Sequence, residues 1–132
     1  MGSEMCIRDR NCLVIFDLPL PPSVNHYWLQ SGGRRFLSKA GRQFKADVSE
    51  CVIAQKVPKL GINRLKVLIY LHPKDRRKID LDNRLKACLD AMQDAGVFDD
   101  DEQIDHLTIQ RATIKSGGGA TVAIEVIDKP LT

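Results

Sequence analysis

The segment Arg76-Arg77-Lys78-Ile79-Asp80-Leu81-Asp82-Asn83-Arg84-Leu85-Lys86 runs three cations directly into two carboxylates, and Asp99-Asp100-Asp101-Glu102 supplies an acidic run further along. Hard carboxylate oxygens are what Mg²⁺ takes, typically one or two from protein together with substrate phosphate oxygens. Guanidinium and ammonium groups beside them suit a phosphodiester backbone. Together they point to metal-dependent phosphodiester chemistry, that of a nuclease.

Asp80 and Asp82 share a metal only under one geometric condition. Two positions apart on a helix, side chains diverge; in an extended segment they lie on the same side. The expectation is therefore that Asp82 is the N-cap of a helix and Asp80 precedes it in extended chain. The competing structural reading makes Asp82 a mere cap and leaves Asp80 solvated. Lys86 follows Asp82 by one turn. As an i,i+4 pair it is worth a few tenths of a kcal/mol. Within a site, its ammonium would stabilise charge developing on the phosphate.

Asp99, Asp100, Asp101, Glu102 and Asp105 follow the apolar pair Val97-Phe98, without the spacing of an EF-hand loop. Such a run is ordinarily a solvated loop. A metal would relieve its internal repulsion. A helix from Asp82 to Ala95 climbs about 20 Å. Five extended steps from Gly96 recover at most about 17 Å. Asp101 thus reaches Asp80 and Asp82 only if the chain doubles back along the helix, with Phe98 anchoring the return, or if a second subunit completes the site.

Lys74, Arg76, Arg77 and Lys78 lead into the carboxylates and are expected to position phosphates; their alternative role is that of a solubilising loop. A second candidate contact is the loop that carries Asn25, Tyr27, Trp28, Arg34, Arg35 and Phe36 around Gly32-Gly33. Here Arg34 and Arg35 are expected to touch DNA, while the rings of Trp28 and Phe36 are expected to tuck into the core.

The elements that must hold these groups fit one domain. The chain has 132 residues, 43% of them hydrophobic, and a net charge of +3. That balance permits nucleic acid through a local patch without demanding it. Cys6, Cys12, Cys51 and Cys88 form no C-x-x-C pair and read as small buried hydrophobes. Nothing resembles a signal peptide or a membrane span, so a cytoplasmic protein is expected. Residues 1–11 are expected to be a non-native or disordered extension, and residues 12–132 a single domain.

Cys12–Leu18 reads as a strand, stopped by Pro19-Leu20-Pro21-Pro22. A loop is expected next, then a helix capped by Ser38 and running to Lys56, with Phe44, Val48, Cys51, Val52 and Gln55 near one stripe. Leu65, Val67, Ile69 and Leu71 alternate with Lys66, Leu68, Tyr70 and His72 as a central strand. A second helix starts near Asp82, buries Leu85, Cys88, Leu89 and Met92, and ends at Gly96. Ile104–Ile114 and Ala120–Ile127 are expected to form an antiparallel hairpin turned by Lys115-Ser116-Gly117-Gly118-Gly119. The sum is α/β (α+β), a mixed sheet with two helices in the order βαβαββ.

Three segments in order, Leu18-Pro19-Leu20-Pro21-Pro22-Ser23-Val24-Asn25, the Asp80-Leu81-Asp82-Asn83 box with Lys86, and Gly96-Val97-Phe98-Asp99-Asp100-Asp101-Glu102-Gln103, resemble the RusA family of Holliday junction resolvases. The resemblance spans about Val14 to Ile127. It implies that Asp80, Asp82 and Asp101 are the catalytic, metal-binding carboxylates and Lys86 the functional lysine. Asp100 is the neighbour that could substitute for Asp101. DNA contacts are expected from Lys74, Arg76, Arg77, Lys78, Arg34, Arg35 and Asn83. The family implies Mg²⁺, or Mn²⁺, a homodimer and a four-way DNA junction cut by paired symmetric nicks. Two rivals stand beside it: a non-catalytic branched-DNA-binding module, and a metal-dependent phosphohydrolase acting on nucleotides. The basic approach to the carboxylates, and the lack of a Gly-rich phosphate cradle, argue against the second.

Overall fold

The computed structural model describes residues 4–6 and 12–127, with side chains from Leu13 onward. Of the expected extension 1–11, residues 1–3 and 7–11 lie outside the described residues. The backbone of Glu4–Cys6 forms a strand, β1, paired antiparallel with the start of β2 (Cys12–Leu18). The chain then forms α1 (Val24–Tyr27), β3 (Trp28–Ser31), β4 (Arg34–Leu37), α2 (Lys39–Ala54), β5 (Arg64–His72), α3 (Asp82–Asp94), a 3₁₀ turn (Asp101–Gln103), β6 (Ile104–Arg111) and β7 (Gly119–Ile127). The expected βαβαββ order survives as β2, α2, β5, α3, β6 and β7.

The main sheet has the order β1-β2-β7-β5-β6. One expectation fails here. β6 and β7 do not form a hairpin: β7 lies antiparallel between β2 and β5, and β6 runs parallel to β5 at the far edge. The connection crosses the end of β5, where Ala112 N–H donates to Leu71 O at 2.7 Å and Lys115 N–H to Pro73 O at 2.9 Å. Hydrophobicity explains the exchange of places. β7 buries Ala120, Val122 and Ile124 and suits a central position, whereas β6 leaves His106, Leu107, Gln110 and Arg111 exposed and suits an edge. β5, α3 and β6 thereby become a parallel crossover unit, the connection that parallel strands require.

Leu65, Val67, Ile69 and Leu71 of β5 are fully buried, each worth roughly 1.5–3 kcal/mol relative to exposure. They share one core with Phe44, Val48 and Val52 of α2 and Ala87, Cys88, Leu89, Ala91 and Met92 of α3. Burial pushes the Cys88 thiol up to about 12, so it behaves as a small hydrophobe.

Ser38 caps α2 as expected: its hydroxyl accepts from Gly41 N at 2.8 Å and donates to the His26 carbonyl. α3 closes in a Schellman motif, with Val97 N–H donating to Met92 O and Gly96 N–H to Gln93 O, and Gly96 at φ +86°. The chain therefore does double back, with Val97 and Phe98 buried behind the helix end.

The expected loop after α1 is instead a two-stranded hairpin. Leu29 pairs with Phe36 and Ser31 with Arg34 across a two-residue turn, Gly32-Gly33. Both glycines have positive φ, 60° and 77°, the requirement of a type I′ turn.

Candidate functional site

The basic segment between β5 and α3 is built on short-range contacts. Asp75 accepts from Arg77 N at 2.9 Å and from its guanidinium at 2.7 Å, which pulls the Asp75 carboxyl down to about 2. Arg111, at the end of β6, donates to Ile79 O at 2.6 Å, and Arg84 of α3 donates to Pro21 O at 2.7 Å. These two arginines pin the segment at its end and tie α3 to the proline loop. Asp80 then lines an open depression of about 420 Å³ with Arg76, Arg77, Lys78 and Arg111. A neighbouring depression gathers Lys74, Arg77, Lys78 and Arg84. Among the described residues, Lys74, Arg76 and Lys78 have no acidic partner within ion-pair distance.

The expected capping of α3 does not occur as drawn. Leu81 occupies the cap position with helical angles, φ −64° and ψ −48°, and Asp82 is the first helical residue. The reason is local: Arg84 N–H bonds to Leu81 O, which starts the turn one residue early. The extended link that would have set Asp80 and Asp82 side by side is thus interrupted at Leu81. Asp82 still gains from the positive end of the helix. Asn83 sits half-buried in the same first turn.

Asp82, Lys86, Asp90 and Gln93 recur at helical spacing and share one face of α3. Gln93 Oε1 accepts from Asp101 N at 3.2 Å, and Lys86, Asp90, Gln93 and Asp101 line a cleft of about 140 Å³ with Trp28 and Arg35. Its wall is held from below. The buried Tyr27 hydroxyl donates to Asp90, and Lys45 reaches Asp90 at 3.4 Å and Asp94 at 3.5 Å. Burial, then the Asp90 bond, raises the Tyr27 pKa, so the phenol remains a donor. Arg35 lies over the Trp28 ring at 4.3 Å. Trp28 is half-buried, but Phe36 is 46% exposed, against the expectation that both rings enter the core. Phe36 faces away from the hairpin side that packs on α1 and α2.

The acidic run turns out to be relieved by protein groups. Asp100 caps the 3₁₀ turn, accepting from Glu102 N at 2.9 Å. Gln103, 4% exposed, accepts from Asp99 N and Asp100 N and donates to Gly61 O and Asn63 O, both at 2.7 Å. Arg64 takes Asp105 through a two-point contact, holding its carboxyl below the usual range, and reaches Glu102 at 3.5 Å. Asp100 and Asp105 are therefore committed internally. Among the described residues the carboxylates of Asp99 and Asp101 have no partner, and Asp101 is the one that lines the cleft.

The expected residues thus fall into groups: Asp80 with the basic segment, Lys86 with Asp101, Asp82 on the helix face between them, and Arg34 and Arg35 on the hairpin. Among the described residues, no three Asp, Glu, His or Cys side chains lie close enough to hold a metal ion. Asp80, Asp82 and Asp101 therefore do not come together as one three-carboxylate site within a chain, and a Mg²⁺ there would draw on one or two of them with substrate phosphate oxygens. Gln103, Gln93, Arg64, Arg84 and Arg111 were not anticipated. The Asp100-x-x-Gln103 spacing is a capping-box signal that could have revealed Gln103. Arg111 depends on the parallel β5–β6 pairing and had no local signal.

A mixed α/β domain that offers a cationic track, isolated carboxylates and an arginine-bearing hairpin beside them belongs to the nucleic-acid-processing enzymes. Residues 19–126 match the family described as Endodeoxyribonuclease RusA, and the chain belongs to that family. It is 34% identical over 113 residues to the crossover junction endodeoxyribonuclease of Enterobacteria phage HK97, covering 86% of this chain and 94% of that protein. The enzymes of the same name from Escherichia coli K12 and from Enterobacteria phage 82 are each 33% identical over 108 residues, covering 81% of this chain and 89% of theirs. No described helix is long and apolar enough to cross a membrane.

Proposed function

We propose that this chain is an endonuclease that resolves four-way DNA junctions by paired symmetric nicks through phosphodiester hydrolysis. The observation that carries this reading is the placing of Asp80 in one depression with Arg76, Arg77, Lys78 and Arg111. Those cations supply sequence-independent attraction for the backbone and set its register beside a carboxylate. Lys74 and Arg84 extend the track. Arg34, Arg35 and Asn83 are assigned to further DNA contact. Asp80, Asp82 and Asp101 are assigned as the catalytic carboxylates, and Lys86 as the cation that offsets charge at the phosphate.

Mg²⁺, with Mn²⁺ as its substitute, is the ion assigned to this reaction. One chain does not gather all three assigned carboxylates, so the site is assigned to a homodimer. A two-fold protein also presents two equal sites to a substrate cut twice. The separation of the carboxylates favours one other reading, a module that binds branched DNA without cutting it.

One experiment divides them. The protein and Asp82→Asn are incubated with a synthetic four-way junction and with plain duplex, in Mg²⁺ and in EDTA. The expected result is symmetric nicking of the junction alone, lost in EDTA and in the variant. Retardation of the junction with no nicking under any condition would identify the binding module and withdraw the carboxylate assignment.

A further inference from the structure

The β3–β4 hairpin is held firmly at its root and offers an apolar pair at its other face. Trp28 and Leu37, cross-strand partners, pack against the core, while Ser38 N–H donates to Tyr27 O at 2.9 Å. Gly41 admits this root so closely that a Cβ there would lie 2.6 Å from Tyr27 O. Cross-strand partners share a face, and that face alternates along the strand. Trp28, Leu37, Gln30 and Arg35 therefore occupy one side of the hairpin, and Leu29, Phe36, Ser31 and Arg34 the other. On the second side Leu29 is 45% exposed and Phe36 46% exposed. The core makes no use of them.

Resting on the resolvase reading above, we propose that the Leu29–Phe36 face is a stacking wedge for the unpaired or unstacked bases at a DNA branch point. Arg34 holds the adjoining phosphate. Charge selects this occupant over a second copy of the chain. Residues 28–37 carry Arg34 and Arg35 and no acidic residue. A two-fold contact of this face with itself would bring like charges together, whereas DNA brings the opposite charge to both. Position supports the same choice. Ser31, Arg34, Arg35 and Phe36 line one depression, and Arg35 also lines the cleft that holds Lys86 and Asp101. The hairpin thus carries Phe36 on one face and, through Arg35 on the other, borders the proposed catalytic groups. Apolar side chains that enter base steps open branched or kinked DNA in this way, and stacking on a ring tolerates any sequence. The wedge makes recognition depend on exposed bases, which a junction offers and an intact duplex does not.

The test uses the whole chain in EDTA with four-way junctions carrying 2-aminopurine either at the branch or in the middle of an arm. Leu29→Thr/Phe36→Thr removes the wedge and keeps strand propensity, and Phe36→Tyr restores a ring. The expected result is a fluorescence rise for the branch probe alone. The double variant should lose that rise and about tenfold in junction affinity, keep its duplex affinity, and melt as the parent does. Phe36→Tyr should behave as the parent. A double variant that binds and unstacks the junction like the parent overturns the proposal. An altered sedimentation mass with an unchanged branch signal overturns it too and assigns the face to contact between copies. Nicking assays in Mg²⁺ run alongside. Nicking with a silent branch probe removes the wedge and leaves the resolvase reading, and unstacking without nicking does the reverse.

Discussion

The two charged segments that flank α3 handle like charge in opposite ways. The acidic run after the helix is neutralised from within: Asp100 by the turn it caps, Asp105 and Glu102 by Arg64, and the loop backbone by the buried Gln103. The basic run before the helix pairs only Arg77, with Asp75, and leaves Lys74, Arg76 and Lys78 without an acidic partner among the described residues. Charge spent inside a fold supports a loop's shape, and charge left unspent is available to a ligand. By that criterion Asp99 and Asp101 are the unspent members of the acidic run among the described residues, and Asp101 is the one that lines the cleft with Lys86.

The sharpest test of this contrast compares two adjacent aspartates. Asp101→Asn should lower junction nicking at least about a hundredfold while leaving melting almost unchanged. Asp100→Asn should lose little of either, because asparagine caps nearly as well as aspartate. Equal losses at the two positions, in a nicking time course, would break the division between spent and unspent charge. Gln103→Leu comes next. It removes two donated and two accepted hydrogen bonds from a buried hub and should cost on the order of 3 kcal/mol, a drop of roughly 10 °C in the melting temperature. Nicking should fall with it, since the Asp101 turn loses its base. A calorimetric melt within a degree or two of the parent would show that the acidic loop does not need this hub.

What the sequence disclosed tracks how local each cause is. Ser38 as a cap, Gly96 as the helix stop and the β5 alternation rest on neighbours within a few residues, and all three are found. The Phe98 anchor was legible for the same reason. The β6–β7 hairpin failed because the choice between pairing with a sequence neighbour and inserting between β2 and β5 is decided by the whole sheet. The hairpin after α1 was missed although Gly32-Gly33 is the turn signal for it, since its strands are short and flanked by exposed side chains. At the site, residue types pointed to a nuclease, but the early start of α3 at Leu81 turns on one short-range bond that its residue types did not signal, and the reach of Arg111 depends on a strand pairing distant in sequence. Asp80 and Asp101 line different depressions.

The basic half of the comparison is tested by salt. Neutralising Lys74, Arg76 and Lys78 to glutamine should weaken duplex and junction binding alike and reduce the slope of log affinity against log salt by roughly 2.7, from about 0.9 per phosphate contact. Melting should not move. An unchanged slope in a filter-binding titration would mean that these cations face solvent even in the complex.

The smallest effect separates the Arg64–Asp105 and Arg77–Asp75 pairs by their exposure. Asp105 and Arg64 have side chains 16% and 31% exposed, whereas Asp75 and Arg77 are 42% and 76% exposed. Both carboxyls are held below their usual range by their arginines. A lowered folded-state pKa adds stability that is fully present above the unfolded value, about pH 4, and is lost as pH falls through the folded value. Asp105→Asn should therefore lower the melting temperature measurably at neutral pH, and the gap from the parent should close on acidification below about pH 4. Asp75→Asn should show almost no gap at any pH, because solvent screens a pair that open to water. Melting curves across that range decide the matter. A larger gap for Asp75 than for Asp105 would mean that the basic segment, too, depends on internal pairing for its shape, and the contrast between the two loops would lose its physical basis.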